Sequence, residues 1–304
     1  VGLNRAIVKQ GLKVFGKRKN IGLKTLYDNS KINSQPNAYH LGYIIGPKIN
    51  AGGRVGKSTF GAEILISDNQ ERIDYLAKKL NEFNECRKKI EIELFQKIEN
   101  ETNNTKDPIL LVQGKDFHEG IIGIAASRIK DKYNKPCIII SINGNIGKGS
   151  ARSVFGFDIG NIIISAVQNK ILINGGGHKM AGGFSINIDK IEVFKEFLIK
   201  KYNSLIIDKS NYKTLYLDSI ISPTALNTNF YNNIDLLSPF GTGNPEPKFL
   251  IENLRLANSK IVGNRHIKAI FYTKNNNVVK AIAFNSIGTV LESYLVKNNK
   301  SSMN

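Results

Sequence analysis

Apolar residues recur at helical spacing over two early segments of the chain. Between residues 72 and 101 they stand three, four or seven positions apart among many lysines and glutamates, which is the pattern of an amphipathic helix. A shorter helix is predicted for residues 3–15, with Gly16 as its stop. We therefore predict one long helix that connects two parts of the chain, and no compact domain within residues 1–35.

The pattern changes after the turn-forming residues 103–108. Apolar runs typical of buried strands occupy residues 109–112 and 136–142, and helical patterns cover residues 120–133, 157–168 and 191–202. Strands that alternate with helices are typical of layered α/β folds, so an α/β domain is predicted here.

After Asp208 the chain carries short β-like runs separated by turn residues. Strands are predicted at residues 214–217, 248–251, 254–262, 267–272 and 278–284, with a hairpin turn at residues 275–277. This spacing predicts a small barrel or sandwich. A barrel of the OB type is a common platform for single-stranded nucleic acid.

The net charge indicates what kind of partner the protein binds, and the cysteines indicate the cellular compartment in which it works. The net charge of +18 favours a polyanion such as nucleic acid, although a codon bias toward Lys, Asn and Ile would also produce part of it. No apolar run approaches the roughly 20 residues of a membrane-spanning helix, so no membrane partner is expected. Cys86 and Cys137 show neither metal-ligand spacing nor a secretory context, which favours the reducing cytoplasm.

A glycine-rich segment at residues 46–55 is the first candidate site. Residues 52–58 imitate a phosphate-binding loop, but the Walker A pattern requires glycine where Ala51 stands, so an ATPase is not predicted. Small residues still let the backbone approach a ligand. Lys48, Asn50 and Arg54 offer contacts to phosphate. A tight loop between domains is the simpler alternative.

A second candidate lies at residues 147–153, directly after a predicted buried strand. Small residues surround Lys148, Ser150 and Arg152 there, and a guanidinium can donate bidentate hydrogen bonds to phosphate oxygens. A solvated basic hairpin explains the same pattern.

The third candidate is the run of Gly175, Gly176 and Gly177 before His178. Three glycines weaken a helix or strand interior, so we expect them to allow close approach to a ligand. His178 would donate a hydrogen bond to phosphate or polarise a phosphoryl oxygen. A structural histidine in a turn is the alternative.

Metal and acid–base chemistry find less support in the sequence. Asp116, His118 and Glu119 could form such a site, but Asp116 or Glu119 is more simply explained as a cap or dipole partner of the following helix. The four histidines show no paired metal-ligand motif. No self-sufficient two-metal centre is predicted.

Together, these segments resemble the RecJ exonuclease family. Residues 46–55, 117–128, 147–153 and 175–183 occur in the order seen in that family, and Pro-Phe-Gly-Thr-Gly-Asn-Pro-Glu-Pro-Lys-Phe at residues 239–249 resembles the entry to its OB domain. The resemblance covers nearly all of the chain.

The resemblance implies a phosphodiesterase of the DHH superfamily that degrades single-stranded DNA from the 5′ end. It implies Mn²⁺ or Mg²⁺ held by an N-terminal DHH domain whose motifs have no counterpart here. The implied domains are a DHH remnant (1–70), a connector helix (71–105), a DHHA1 domain (106–205) and a truncated OB-like domain (206–304). We expect a chain that begins just after the last metal-ligand motif, from a split or decaying gene or as part of a longer protein.

Residue roles and partners are carried over by motif. The reacting phosphate would contact Arg152 and His178. The DNA strand would contact Lys148 and Ser150, and its path between the domains would pass Asn50 and Arg54. Implied partners are single-stranded DNA, a helicase and single-strand-binding protein, in repair and recombination.

Two rival functions remain open. One is a non-catalytic single-strand-binding subunit that pairs with a separately encoded DHH domain. The other is a DHHA1 module as in alanyl-tRNA synthetases or small oligonucleotide phosphodiesterases, which lack the segment at residues 239–249 and the OB-like tail and are therefore disfavoured.

Overall fold

A computed structural model of the protein describes residues 2–102, 107–205 and 214–297. The chain divides into two compact units. The larger unit is Ile7–Thr214, and the smaller one combines Val1–Ala6 with Leu215–Asn304. Within the described ranges, none of the helices combines the length and the apolar character that crossing a lipid bilayer requires.

Helices make up the described part of the chain up to residue 102. They are α1 (Leu3–Gly16), α2 (Ile21–Asp28), α3 (Gly46–Val55), α4 (Thr59–Ile66) and α5 (Gln70–Thr102), and a short π-helical turn, His40–Ile45, precedes α3. The predicted connector helix is confirmed as α5. Its apolar stripe, which includes Ile73 and Leu80, packs against Leu26 and Ile64 in a buried core. Phe15 of α1 also belongs to this core.

Strands and helices then alternate, as predicted for an α/β domain. The elements are β1 (Leu110–Gly114), α6 (Glu119–Tyr133), β2 (Cys137–Asn143), β3 (Ile146–Arg152), α7 (Ile159–Gln168), β4 (Asn174–His178), β5 (Ala181–Asn187) and α8 (Ile191–Asn203). They build a five-stranded sheet of order β1-β2-β3-β5-β4, in which only the β1–β2 pair is parallel.

Two hydrophobic cores cover opposite faces of this sheet. Ile138, Ile140 and Phe184 face α7 and α8, whereas Cys137 and Ile139 face α5 and α6. The alternation along β2 follows from the period of two in a strand. Residues of β3 alternate in the same way, since Ala151 belongs to the first core.

The glycine-rich segments are regular structure. For residues 175–177 this corrects the expectation that three glycines have no use in a strand interior. Residues 46–55 form α3, residues 147–152 lie in β3, and residues 175–177 lie in β4. Gly149 shows the reason, because a Cβ there would lie 2.0 Å from the ring of Phe184. Gly52 in α3 likewise has the Lys57 carbonyl oxygen only 2.6 Å from a Cβ position. These glycines let neighbouring elements approach closely.

The smaller unit contains a three-stranded antiparallel sheet. Its elements are β6 (Ser219–Ile220), α9 (Thr228–Asp235), β7 (Phe249–Leu250), β8 (Arg255–Val262), β9 (His266–Tyr272), β10 (Val278–Ala283) and α10 (Val290–Glu292), and the sheet has the order β10-β9-β8. The four later predicted strands are confirmed as β7 to β10. The strand predicted at residues 214–217 is wrong, because these residues adopt no regular secondary structure and leave Leu215 and Tyr216 exposed. Asn276 occupies the predicted β9–β10 turn with a φ of 60°.

Candidate functional site

An open cleft of about 470 Å³ lies within the larger unit. Its walls are the end of α3, the first turns of α6, and one face of β3, β5 and β4. Four of the phosphate-binding candidates meet there, since the residues that line it include Arg54, Lys148, Ser150 and Arg152. Segments that are far apart in sequence therefore converge on one site.

Strand register arranges the sheet side of the cleft in three rows. The rows are Arg152–Ala181–His178, Ser150–Gly183–Gly176 and Lys148–Ser185–Asn174. Side chains two positions apart along a strand point to the same face, so all three rows share one face and follow each other at about 7 Å. The floor of the cleft is thus basic at one end, nearly bare in the middle and polar at the other end.

Arg152 at the basic end is half-buried. Its Nη1 donates hydrogen bonds to Ser150 Oγ at 3.1 Å and to the Ala151 carbonyl oxygen at 2.8 Å. No carboxylate among the described residues forms an ion pair with it. Burial lowers the pKa of Arg152, and the nearby Arg54 lowers this pKa further. The guanidinium nevertheless remains charged at neutral pH, because arginine is effectively always protonated in proteins. An anion bound at this end of the cleft would therefore compensate the positive charge of Arg152, which no carboxylate among the described residues compensates.

Arg54 brings a second guanidinium to the same end. Its Nη1 donates a hydrogen bond to the Gly120 carbonyl oxygen at 3.0 Å. A Cβ at Gly120 would lie only 2.3 Å from the Arg54 carbonyl oxygen, so glycine allows the backbones of α3 and α6 to touch. A Cβ at Gly123 would likewise lie 3.0 Å from Arg152 Nη2 and from Ser150 Oγ. The α6 backbone therefore approaches the basic end directly.

Lys148 lies at the opposite end of β3 and has an acidic partner. Its Nζ lies 2.7 Å from Glu119 Oε2, and both side chains are exposed. Glu119 follows the N-cap of α6. Lys148 and Glu119 together contribute no net charge, so the positive charge of the cleft is concentrated around Arg152 and Arg54.

The three consecutive glycines divide between the two faces of β4. A Cβ at Gly176 would meet no atom within 4 Å, so this position faces open space on the face of the sheet that also carries Ser150 and Gly183, although Gly176 is not among the residues that line the cleft. A Cβ at Gly175 would lie 2.8 Å from Ile163 Cγ2 and from Phe184 Cβ, and one at Gly177 would lie 2.3 Å from the Ala181 carbonyl oxygen. Gly175 is thus required for the packing of the core, and Gly177 for the close approach of β4 to β5. Gly176 leaves the middle row of the sheet free of side chains.

His178 belongs by register to the row of Arg152, although it is not among the residues that line the cleft. Its Nδ1 accepts a hydrogen bond from the Met180 backbone N–H at 3.3 Å. In a neutral imidazole the proton is then on Nε2. His178 therefore offers a donor at the edge of the basic end.

His118, and neither Asp116 nor Glu119, is the N-cap of α6. Glu119 instead lies in the first turn of α6, where a carboxylate favours the helix dipole, the other role expected for it. The His118 Nδ1 accepts a hydrogen bond from the Gly120 backbone N–H at 3.1 Å. An imidazole nitrogen can satisfy a helix N-terminal donor as a side-chain oxygen does.

Lys48 and Asn50 do not line the cleft. Lys48 is buried, and its Nζ donates a hydrogen bond to Ser30 Oγ at 2.9 Å. Burial lowers the pKa of Lys48, Lys88 lowers it further, and Glu85 opposes the shift. Asn50 is exposed on α3. The structure thus brings Arg54, but neither of these two residues, to the cleft.

Asn174 and Ser185 line the cleft and were not identified from the sequence. Asn174 directly precedes the triple glycine, which is the one local signal that could have pointed to it. Ser185 carries no such signal, because its position depends on the pairing of β5 with β4 and β3.

The metal implied by the resemblance was tested against the residues present. Within residues 2–102, 107–205 and 214–297, no three His, Cys, Asp or Glu side chains come together in a group that could hold a metal ion. These residues do not fit a Mn²⁺ or Mg²⁺ centre, and no metal-dependent step is assigned to them.

Comparison with known proteins gives two matching family models, the DHHA1 domain over residues 106–204 and the RecJ OB domain over residues 217–302. The single-stranded-DNA-specific exonuclease RecJ of Haemophilus influenzae is 29% identical over 297 residues, and that of Escherichia coli is 28% identical over 299 residues. Each alignment covers 93% of this chain and 51% of the relative, so the chain spans about half the length of these curated relatives.

The crystal structure of RecJ from Thermus thermophilus in complex with Mn²⁺ matches with a TM-score of 0.78 at 25% identity. This match covers 93% of the present chain and 41% of that chain. Together with the two family models, it confirms the predicted combination of a DHHA1 α/β domain with an OB domain.

Proposed function

This chain belongs to the RecJ family, and we propose on that basis that it supplies the phosphate-holding part of an exonuclease specific for single-stranded DNA. The named relatives are exonucleases of that specificity. The observation that carries the proposal is the basic end of the cleft, where Arg152 and Arg54 converge above an open glycine floor without a carboxylate partner among the described residues.

In this proposal the phosphate of a DNA strand lies against Arg152 and Arg54. Hydrogen bonds between guanidinium groups and phosphate oxygens are charge-assisted and stronger than neutral ones. His178 Nε2 donates a further hydrogen bond from the edge of the site. These groups offset the negative charge that increases on the phosphoryl oxygens during hydrolysis, and for this reason we assign catalytic roles to Arg152 and His178.

The wider setting is also proposed from the family. We expect degradation from the 5′ end, with Mn²⁺ or Mg²⁺ as the activating ion, in DNA repair and recombination. Partners of this activity would be a helicase, single-strand-binding protein and, for a split enzyme, a separately encoded DHH domain. We propose the reducing cytoplasm as its location, because both cysteines are free.

A salt titration of DNA binding tests the proposal. We expect the purified chain to bind single-stranded DNA with an affinity that falls as salt rises. Arg152→Ala should weaken binding and reduce the slope of log affinity against log salt by about one. Lys97→Ala is the matched control, since Lys97 is exposed on α5 and outside the cleft. Equal slopes for wild type and Arg152→Ala would refute a phosphate contact.

Cleavage by the same sample in Mn²⁺ distinguishes the two forms of the family function. Binding without cleavage, followed by cleavage when a DHH domain is added, would identify a subunit of a split enzyme. Binding without cleavage under both conditions would favour a non-catalytic single-strand-binding module.

A further inference from the structure

The polar end of the cleft has hydrogen-bonding groups that the protein itself does not use. Within the described residues, neither the Asn174 amide nor the Ser185 hydroxyl has a hydrogen-bond partner, and both line the cleft. They face each other in the register of β4 and β5. An amide and a hydroxyl each offer both a donor and an acceptor, so this end can bind an uncharged ligand group with mixed hydrogen bonding.

The spacing between the two ends fits a single nucleotide. Arg152 and Lys148 stand four residues apart on β3, which corresponds to about 13 Å. The Arg152 guanidinium reaches back to Ser150 Oγ in the middle row. Its charge therefore lies one row away from Ser185 and Asn174, at about 8 Å from Ser185 on the adjacent strand and about 12 Å from Asn174 on the strand beyond it. This is the reach of one nucleotide from its phosphate to the edge of its base.

Building on the proposed function, we propose that Asn174 and Ser185 hydrogen-bond the base of the nucleotide whose phosphate lies at Arg152. The sugar of that nucleotide lies over Gly176 and Gly183. The cleft then binds a nucleotide lengthwise, with its charged and uncharged parts at opposite ends.

Charge explains why this end receives a base and not a second phosphate. Lys148 is paired with Glu119 at 2.7 Å, so the end carries no net charge and presents a carboxylate that repels a second anion. A base edge is uncharged and needs donors and acceptors side by side. Because an amide supplies both, the contact adds affinity without requiring one particular base.

The glycine floor gives the nucleotide room. A Cβ at Gly176 meets no protein atom within 4 Å, and one at Gly183 meets only the Gly149 carbonyl oxygen at 3.8 Å. Neither glycine is therefore required by contacts within the protein in the way that Gly175 is. Side chains at these two positions would project into the space that the sugar occupies.

The test compares two ligands that differ only by the base, thymidine 5′-monophosphate and 2-deoxyribose 5-phosphate, titrated into the full chain by calorimetry. The wild-type chain should bind the nucleotide more tightly than the sugar phosphate. Asn174→Ala should weaken nucleotide binding by about 3- to 10-fold, which corresponds to one hydrogen bond, and leave the sugar phosphate unchanged. Ser185→Ala should act in the same direction. Asn81→Ala, an exposed asparagine of α5 outside the cleft, should change neither.

The outcomes separate this inference from the proposed function. Suppose that Arg152→Ala weakens the binding of both ligands. If Asn174→Ala then weakens the binding of neither ligand, or of both ligands equally, the base contact is refuted and the phosphate site stands. If wild type binds neither ligand, or Arg152→Ala changes neither affinity, the phosphate site itself is refuted and the base contact with it.

Discussion

Gly175 and Gly176 are neighbours in β4, yet the absence of a side chain has a different use at each. A Cβ at Gly175 would press on Ile163 and Phe184 in the core on one face of the sheet, whereas one at Gly176 would enter open space on the other face, the face that carries Ser150 and Gly183. The alternation of faces along a strand assigns one glycine to folding and the next to the ligand.

The two alanine variants should therefore separate stability from binding. Gly175→Ala should lower the free energy of unfolding by about 1–3 kcal/mol, the usual cost of overpacking a core. Gly176→Ala should leave stability nearly unchanged and weaken nucleotide binding. Urea denaturation and the thymidine 5′-monophosphate titration, applied to both variants, measure the two effects. Equal loss of stability in both would contradict the assignment of faces.

At the scale of elements, a buried ionic cluster joins the connector helix to the α/β domain. Glu91 of α5 is almost completely buried and lies 2.9 Å from Arg87 of the same helix and 2.8 Å from Arg128 of α6. Because the first turns of α6 form a wall of the cleft, this contact also helps to fix the position of the wall.

Glu91→Gln should remove the charge that the largely buried Arg87 requires, whereas the exposed Arg128 can be solvated instead. Breaking a buried pair by neutralising one partner is strongly destabilising, and we expect a loss of about 2–4 kcal/mol in the free energy of unfolding. Glu85→Gln provides the control, because the exposed Glu85–Lys88 pair on the same helix should contribute less than about 1 kcal/mol. Similar midpoints in urea for Glu91→Gln and wild type would refute the structural role of Glu91.

Elements with a clear local period could be predicted from the sequence, whereas the candidate site could be predicted only in part. The apolar stripe of α5 and the alternating strands β8 to β10 are local signals, and their predictions are confirmed. The packing role of Gly149 could not be predicted, because the ring of Phe184 that requires a glycine there lies 35 positions along the chain, a distance that no local pattern reveals. Asn174 and Ser185 escaped notice for the same reason, since strand register alone brings them together.

At the scale of the whole molecule, the two cysteines provide a chemical measure of unfolding. Cys86 is exposed on α5, whereas Cys137 is buried in β2, where it pairs in register with Arg152 of β3. Burial raises the pKa of the Cys137 thiol to about 12, against an opposing effect of Arg152. The thiolate is the reactive form of cysteine. At pH 8 almost all Cys137 in the folded protein is therefore in the unreactive thiol form, and its burial also keeps the reagent away from it.

One thiol should therefore react rapidly with a thiol reagent in the native protein, and the second only in denaturant. Cys86→Ser should abolish the fast phase and leave the slow one. Raising the pH from 7 to 9 should leave Cys137 mostly unreactive, because its folded-state pKa lies above this window. Since reaction requires the larger unit to open, the rate of Cys137 modification should follow its unfolding. Rapid reaction of Cys137 in native buffer would show that β2 is accessible without unfolding and that the floor of the cleft is less firmly held than its packing indicates.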